Sequence, residues 1–104
     1  METAKFEIID NDLLVDAEIK DLQASGCRFT NTIFKKVTFR NVTFYSSYIE
    51  NCHFMDCTFI DCVFEFTQMK NNLYTETKFI NTERTFSSEI NPKYFYNPVE
   101  KKAA

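Results

Sequence analysis

The feature that most constrains the fold is a five-residue period in large apolar side chains. Counting in steps of five from position 29, eleven consecutive positions carry an aromatic or large aliphatic residue. They are Phe29, Phe34, Phe39, Phe44, Ile49, Phe54, Phe59, Phe64, Met69, Tyr74 and Phe79. A period of five matches neither an α-helix, with 3.6 residues per turn, nor an ordinary strand, with two. The pentapeptide itself is therefore the repeating structural unit.

The positions that flank each centre follow the same period. Two residues before the centres, the side chains are mostly small or β-branched: Cys27, Thr32, Val37, Val42, Ser47, Cys52, Cys57, Cys62, Thr67, Asn72 and Thr77. Two residues after the centres, polar side chains dominate, and Asn and Asp are frequent. We expect each centre and its small partner to point inward. The Asn and Asp residues suit corners, because they bond nearby backbone and tolerate unusual φ angles.

This pattern predicts an all-β fold, a right-handed quadrilateral β-helix with caps at both ends. Four five-residue sides would close one coil, so that residue i lies under residue i+20, with coils about 4.8 Å apart. Phe39, Phe59 and Phe79 should then form one column. Phe34, Phe54 and Tyr74 should form another. Twelve Phe and a single Gly fit such a fold better than a sandwich with tight glycine turns.

The length of 104 residues indicates one domain. We expect residues 27–81 to form the β-helix and residues 1–26 to be an N-terminal cap or a degenerate first coil, because Ile19 and Ala24 are in phase with the repeat. The period stops at Arg84, so residues 82–104 are expected to be a C-terminal cap and tail. The cluster Tyr94-Phe95-Tyr96 would fold over the last coil or remain an exposed tail.

The sequence offers little for catalysis or metal binding. Cys52, Cys57 and Cys62 are five residues apart and fall on different sides of the coil, which suits neither a disulfide nor a zinc site. His53 lies at an outward position, with no motif that pairs it with a nucleophile. We therefore expect no catalytic residue, no metal, no cofactor and no small-molecule substrate.

Charge and targeting signals restrict the partners and the location. A net charge of -3 argues against a strongly basic nucleic-acid-binding protein. We expect neither a signal peptide nor a membrane-spanning segment in this chain. The tripeptide Asn41-Val42-Thr43 makes Asn41 a candidate glycosylation site at an outward corner. The expected location is luminal or extracellular if the chain is an excised domain of a membrane protein, and cytoplasmic otherwise.

The repeat resembles the pentapeptide-repeat superfamily, whose members form quadrilateral β-helices. The run Cys52–Phe64, with Phe34–Phe39 and Lys78–Asn81, resembles more narrowly the luminal domain of the synaptic vesicle glycoprotein 2 family. That resemblance implies a non-catalytic receptor module that botulinum neurotoxin A binds by adding a strand to an open edge, with a nearby cation–π contact. The implied partner-binding edge comprises Phe64, Phe66, Thr67, Met69, Asn72, Tyr74, Thr77 and Phe79. The sequence departs from that family at Met69, where the family has Phe, and in an extra unit centred on Tyr74.

Two other functions remain open from the sequence. A DNA-mimicking pentapeptide protein that inhibits a topoisomerase would be an acidic rod, and the outward Lys35, Lys36 and Arg40 make this chain a weak mimic. A structural or designed solenoid would have no natural ligand. In each case we expect a monomer or an end-to-end dimer.

Overall fold

A computed structural model describes residues 2–95, and the strands in that range pair in parallel. Most strands have three residues because the chain turns a corner about every five residues, and β4 and β7 each continue through one corner. The strands are β1 (Glu2–Lys5), β2 (Ile8–Asp10), β3 (Leu13–Val15), β4 (Glu18–Ser25), β5 (Arg28–Thr30), β6 (Ile33–Lys35), β7 (Thr38–Tyr45), β8 (Tyr48–Glu50), β9 (His53–Met55), β10 (Thr58–Ile60), β11 (Val63–Glu65), β12 (Gln68–Lys70), β13 (Leu73–Thr75), β14 (Lys78–Ile80), β15 (Glu83–Thr85), β16 (Ser88–Ile90) and β17 (Lys93–Phe95).

The strands stack into four sides of a solenoid. Side one contains β1, residues 22–25 of β4, residues 42–45 of β7, β11 and β15. Side two contains β2, β5, β8, β12 and β16, and side three contains β3, β6, β9, β13 and β17. Side four contains residues 18–20 of β4, residues 38–40 of β7, β10 and β14. Every paired residue lies next to the residue twenty positions along, which confirms the expected all-β solenoid with four sides per coil.

Stacked rings fill the interior of this tube. The ring centroids of Phe34 and Phe54 are 4.8 Å apart, and those of Phe54 and Tyr74 are 5.3 Å apart. In the second column, the spacings from Phe39 to Phe59 and from Phe59 to Phe79 are 4.5 and 5.0 Å. Both predicted columns are confirmed. Rings of neighbouring columns meet edge to face or tilted. The aromatic quadrupoles therefore favour the contacts between columns as well as the stacking within each column.

One residue in every five adopts a positive φ, from Phe6 to Asn91, and these residues are the corners. Most of them are Asn or Asp, as expected for side chains that tolerate the left-handed region. The single glycine, Gly26, has a φ of 62° and a more specific role. A Cβ atom at this position would lie 2.8 Å from the ring of Phe6, which packs against it.

The small inward residues do more than leave room for the rings. The Ser47 hydroxyl accepts a hydrogen bond from the Cys27 amide and donates one to the Ala24 carbonyl in the preceding coil, both at 3.1 Å. Thr67 makes the same bridge one coil later. The same position is occupied by Asn72, Thr77, Thr82 and Ser87, which also bridge to the backbone of the preceding coil. These side chains therefore form hydrogen bonds with amides and carbonyls near the corners that have no partner in the strand pairing.

The regular coil extends on both sides of the expected 27–81 core. At the start, β1–β4 pair in register with the next coil. Three of the positions two before the centres here are Glu2, Glu7 and Asp12, which are exposed, and the fourth is Ala17, which is half-buried. At these positions a bridging side chain has no preceding coil among residues 2–95 to contact, so charged side chains remain in solvent.

At the other end, β15–β17 add a coil in which polar groups replace the apolar centres. The Glu89 side chain is only 7% exposed, and its carboxylate forms an ion pair with the Arg84 guanidinium, with a nitrogen–oxygen distance of 2.6 Å. It also accepts hydrogen bonds from the hydroxyls of Tyr74 at 2.5 Å and Tyr94 at 2.9 Å. We call Tyr74, Arg84, Glu89 and Tyr94 the polar plug. It closes the C-terminal end of the aromatic core, and Tyr94 extends the column above Tyr74 at 4.9 Å. Tyr96 lies outside the described residues.

Removing the carboxylate of the polar plug should destabilise the fold strongly. Glu89→Ala removes the carboxylate that accepts hydrogen bonds from the Tyr74 and Tyr94 hydroxyls and pairs with Arg84, and we expect a loss of about 1.5–3 kcal/mol in the free energy of unfolding. Urea denaturation measures this loss. The control is Glu83→Ala, an exposed residue of β15, which should change stability by less than about 0.5 kcal/mol. Equal effects of the two variants would contradict the role of the plug.

Burial of the Cys52 thiol should make the fold sensitive to alkali. Burial raises the pKa of Cys52 to about 11, from a usual value of 9.0. Between these values the thiol ionises in the unfolded chain but not in the folded one, so stability is full below pH 9.0 and falls as the pH rises to about 11. We expect Cys52 to contribute a fall of about 3 kcal/mol.

The variant Cys52→Thr keeps a small bridging side chain and removes the ionisable thiol. Its free energy of unfolding, measured in urea from pH 8 to pH 11, should therefore fall less steeply than that of the original chain. Parallel curves for the two proteins would show that Cys52 does not ionise on unfolding.

Candidate partner-binding surface

The structure corrects most of the partner-binding edge expected from sequence. Strands β11, β12 and β13 are each paired on both sides, with β7 and β15, β8 and β16, and β9 and β17. The coil continues beyond residue 81, so these strands lie inside the solenoid and offer no open edge. Six of the expected contact residues are consequently buried: Phe64, Thr67, Met69, Asn72, Tyr74 and Thr77.

Phe79 is the expected contact residue that remains at a strand edge. Its strand, β14, pairs with β10 and has no second partner strand within the described range. The Phe79 ring is half-buried over Phe59 and lines a groove with Thr82 and Arg84. This end of side four therefore offers backbone groups beside an aromatic ring.

Phe66 also lies at the surface, on a different part of the molecule. It is a corner residue with a φ of 49°, between sides one and two. Its side chain is 51% exposed, and that of Phe86, one coil above, is 81% exposed. The two rings stack at 5.4 Å, and Tyr45 meets Phe66 edge to face at 5.8 Å. With Tyr48 beside them, we call Tyr45, Tyr48, Phe66 and Phe86 the aromatic corner.

The fold alone does not explain phenylalanine at these corners. A side chain in the left-handed region costs roughly 1–2 kcal/mol, and Asn or Asp tolerates this conformation better. Ring stacking recovers about 0.5–1.5 kcal/mol, which only offsets the strain. The apolar surface of Phe86 remains in water nevertheless. A contiguous exposed apolar patch of this kind is typical of a surface that contacts another molecule.

A groove of about 450 Å³ runs beside the aromatic corner. Its lining combines the rings of Tyr48, Phe66 and Phe86 with small polar residues: Ser46, Ser47, Thr67, Gln68, Ser87 and Ser88. Ser47 and Thr67 are fixed by their bridges to the backbone, so this wall is rigid. The Arg28 guanidinium lies 5.1 Å from the centroid of the Tyr48 ring. The surface suits a polypeptide, which can offer both apolar side chains and hydrogen-bonding backbone groups.

The residues considered for chemistry lie elsewhere. The four cysteines are free and buried, and burial raises the pKa of Cys57 and Cys62. Their thiols donate to the carbonyls of Phe34 and Phe39 in the preceding coil, as bridging side chains. Within residues 2–95, no three His, Cys, Asp or Glu side chains are grouped so that they could hold a metal ion.

His53 lies on side three, where its Nε2 is 2.9 Å from the Thr75 hydroxyl. Partial burial lowers the pKa of this imidazole. Asn41, the glycosylation candidate, lies at an exposed corner and donates a hydrogen bond to the Asp21 carboxylate at 2.8 Å. In the part of the chain that the structure describes, no helix has the length and apolar character needed to cross a membrane.

The sequence pattern placed Phe66 in the series two residues after the centres and in the expected partner-binding edge, but it did not single out Phe86. The available signal was the twenty-residue spacing, which places Phe66 and Phe86 in one corner column with Phe6, Gly26 and Ser46.

Replacing both corner rings should preserve or improve stability. In Phe66→Asn/Phe86→Asn, a residue tolerant of the left-handed region replaces a strained one at each site. We expect a free energy of unfolding equal to that of the original chain or up to about 1 kcal/mol higher. Urea denaturation checks this. A loss of more than about 2 kcal/mol would mean that the rings are part of the structural core.

Comparison with known proteins supports the repeat architecture. Residues 24–68 match a family model described as pentapeptide repeats in nine copies. No curated protein matches the chain. The narrower resemblance to synaptic vesicle glycoprotein 2 therefore rests only on the residue runs quoted for it in the sequence analysis.

Proposed function

We propose that this pentapeptide-repeat solenoid is a non-catalytic protein-binding module whose contact surface is the aromatic corner. The observation that carries the proposal is the pair of exposed rings at Phe66 and Phe86, in a backbone conformation that disfavours Phe. Aromatic residues dominate the energetics of many interfaces, because they bring large contact areas with few rotatable bonds.

The frame behind the corner supports the same role. Tyr45 ends β7 and Tyr48 begins β8, and both strands pair with coils on either side. The rings of Tyr45 and Tyr48 are therefore presented by a backbone that has little freedom to lose on binding. Such preorganisation increases affinity, since less conformational entropy is lost.

The resemblance noted above suggests a second contact surface, separate from the aromatic corner, and a specific candidate partner for it. We propose that the receptor-binding domain of botulinum neurotoxin A adds a strand to the end of the solenoid at β14, where Phe79 is exposed in part. Among residues 2–95, the strand with an unpaired edge on side four is Lys78–Ile80, whereas β11–β13 are each paired on both sides. As part of the same hypothesis, we propose that this chain lies in the lumen of a secretory compartment. Among the alternatives, the DNA mimic has no described feature in its favour, because Lys35, Lys36 and Arg40 interrupt the outward acidic residues.

Binding measurements with two variants separate the corner from the edge. Biolayer interferometry with the toxin domain at concentrations up to 10 μM should give saturable binding to the original chain. If the strand edge is used, Phe79→Ala weakens binding at least tenfold, whereas Phe66→Asn/Phe86→Asn leaves it unchanged. If the aromatic corner is used, Phe66→Asn/Phe86→Asn weakens binding at least tenfold, whereas Phe79→Ala leaves it unchanged. Circular dichroism confirms that each variant is folded.

Failure to bind the toxin domain would eliminate that partner and leave the corner to be tested with proteins of the source cell. The double corner variant is then the matched control. A protein crosslinked to the original chain is purified, and its affinity for both forms is measured by calorimetry. Equal affinity for the original chain and for Phe66→Asn/Phe86→Asn would contradict a contact surface at the aromatic corner.

A further inference from the structure

The outward surface of side three is more apolar than a solvent-facing sheet requires. One row of outward residues contains Leu13, Ile33, His53, Leu73 and Lys93, and the other contains Val15, Lys35, Met55, Thr75 and Phe95. Leu13 is 57% exposed, Val15 is 45% exposed and Phe95 is 49% exposed. Parallel sheets are usually covered on both faces, and the ring columns cover only the inner one.

Side three lies across the solenoid from side one, and the aromatic corner joins sides one and two. The two surfaces are therefore separate. Side four shows the contrast, because its outward rows contain hydroxyl and charged residues: Glu18, Lys20, Thr38, Arg40, Thr58 and Lys78, besides Ile60 and Ile80.

We propose that side three packs against side three of a second copy of this chain, with the two solenoids antiparallel. A two-fold axis along β9 would place the coil of β6 opposite that of β13, and the coil of β3 opposite that of β17. Ile33 then faces Leu73 of the second copy, and Val15 faces its Phe95. Each of these apolar pairs occurs twice, and Met55 and His53 each meet their own copy at the axis. The same arrangement places Leu13 opposite Lys93 of the second copy and Lys35 opposite its Thr75.

Charges at the adjoining corner favour the same arrangement. The corner column beside side three contains Asp16, Lys36, Asp56 and Glu76. The antiparallel arrangement places Lys36 opposite Glu76 of the second copy, twice. Asp56 faces its own copy, which is a like-charge pair, with Lys36 one coil away.

A parallel arrangement fits less well. A two-fold axis along the solenoid would place one outward row of side three opposite the other outward row of the second copy. Ile33 would then face Lys35 of the second copy, and Phe95 would face its Lys93. Apolar side chains would then cover charged ones. The antiparallel arrangement has a single contact of this type, Leu13 with Lys93, and it keeps Lys36 next to a carboxylate.

The contact area indicates a weak dimer. Five strands at about 4.8 Å spacing give a height of roughly 19 Å, and three residues with a corner give a width of roughly 15 Å. The contact is then about 300 Å² per copy, against roughly 800 Å² in stable complexes. A contact of this area is at the low end for specific complexes, so we expect association only at high protein concentration.

Sedimentation equilibrium of the full chain from 10 μM to 1 mM tests the proposal. The average mass should rise with concentration above the 12.3 kDa of the monomer. Ile33→Asp should remain monomeric throughout, because it places a carboxylate in the apolar contact. The matched control is Ile80→Asp, on side four, where the isoleucine is 39% exposed. It should associate as the original chain does, and circular dichroism checks the fold of both variants.

A charge exchange tests the orientation. Lys36→Glu and Glu76→Lys should each weaken association about threefold to tenfold, and the double variant should restore it to within about twofold. Asp56→Asn should strengthen it. A monomer at 1 mM, equal effects of Ile33→Asp and Ile80→Asp, or no restoration in the double variant would each overturn the antiparallel dimer.

Discussion

The whole structure depends on one register, in which each residue pairs with the residue twenty positions along. Parallel pairing at this spacing requires the chain to turn a corner every five residues, and each corner requires one residue in the left-handed region. The same register stacks every inward side chain on its counterpart, as Phe39 stacks on Phe59 and Phe79. The bridging residues complete it, because they bond to corner backbone groups that strand pairing does not reach. Backbone pairing, ring stacking and side-chain bridging therefore favour one arrangement together.

The ends of the solenoid and its outer surface follow from the same geometry. A repeating coil could continue to grow, so its ends must differ in composition from its middle. The first coil has exposed carboxylates where later coils have bridging side chains, and the last coil has the polar plug where earlier coils have apolar rings. Two outward positions in each pentapeptide remain free of these demands. The apolar residues on side three occupy these free positions, whereas Phe66 and Phe86 occupy corners. Folding requires an apolar residue at neither place, and this is the basis on which we propose that both surfaces bind other molecules.

The sequence predicted the columns and corners because their period is strict, and it failed where polar residues occupied apolar positions. Arg84 and Glu89 break the apolar pattern, yet the backbone register continues, since the two charges pair with each other and with tyrosine hydroxyls. No period in hydrophobicity could reveal that mutual pairing. The expected edge was misplaced for this reason, because the additional coil covers β11–β13. The bridging role of Ser47 and Thr67 was missed because small size alone seemed to explain them.

The register itself can be tested most directly by solution NMR. Nuclear Overhauser effects should connect the ring protons of Phe34 with those of Phe54, and of Phe39 with those of Phe59, and the corresponding backbone protons should show contacts between residues twenty apart. Contacts at a spacing of three or four residues, or cross-strand contacts of antiparallel pairs, would contradict the four-sided coil and remove the basis for both proposed binding surfaces.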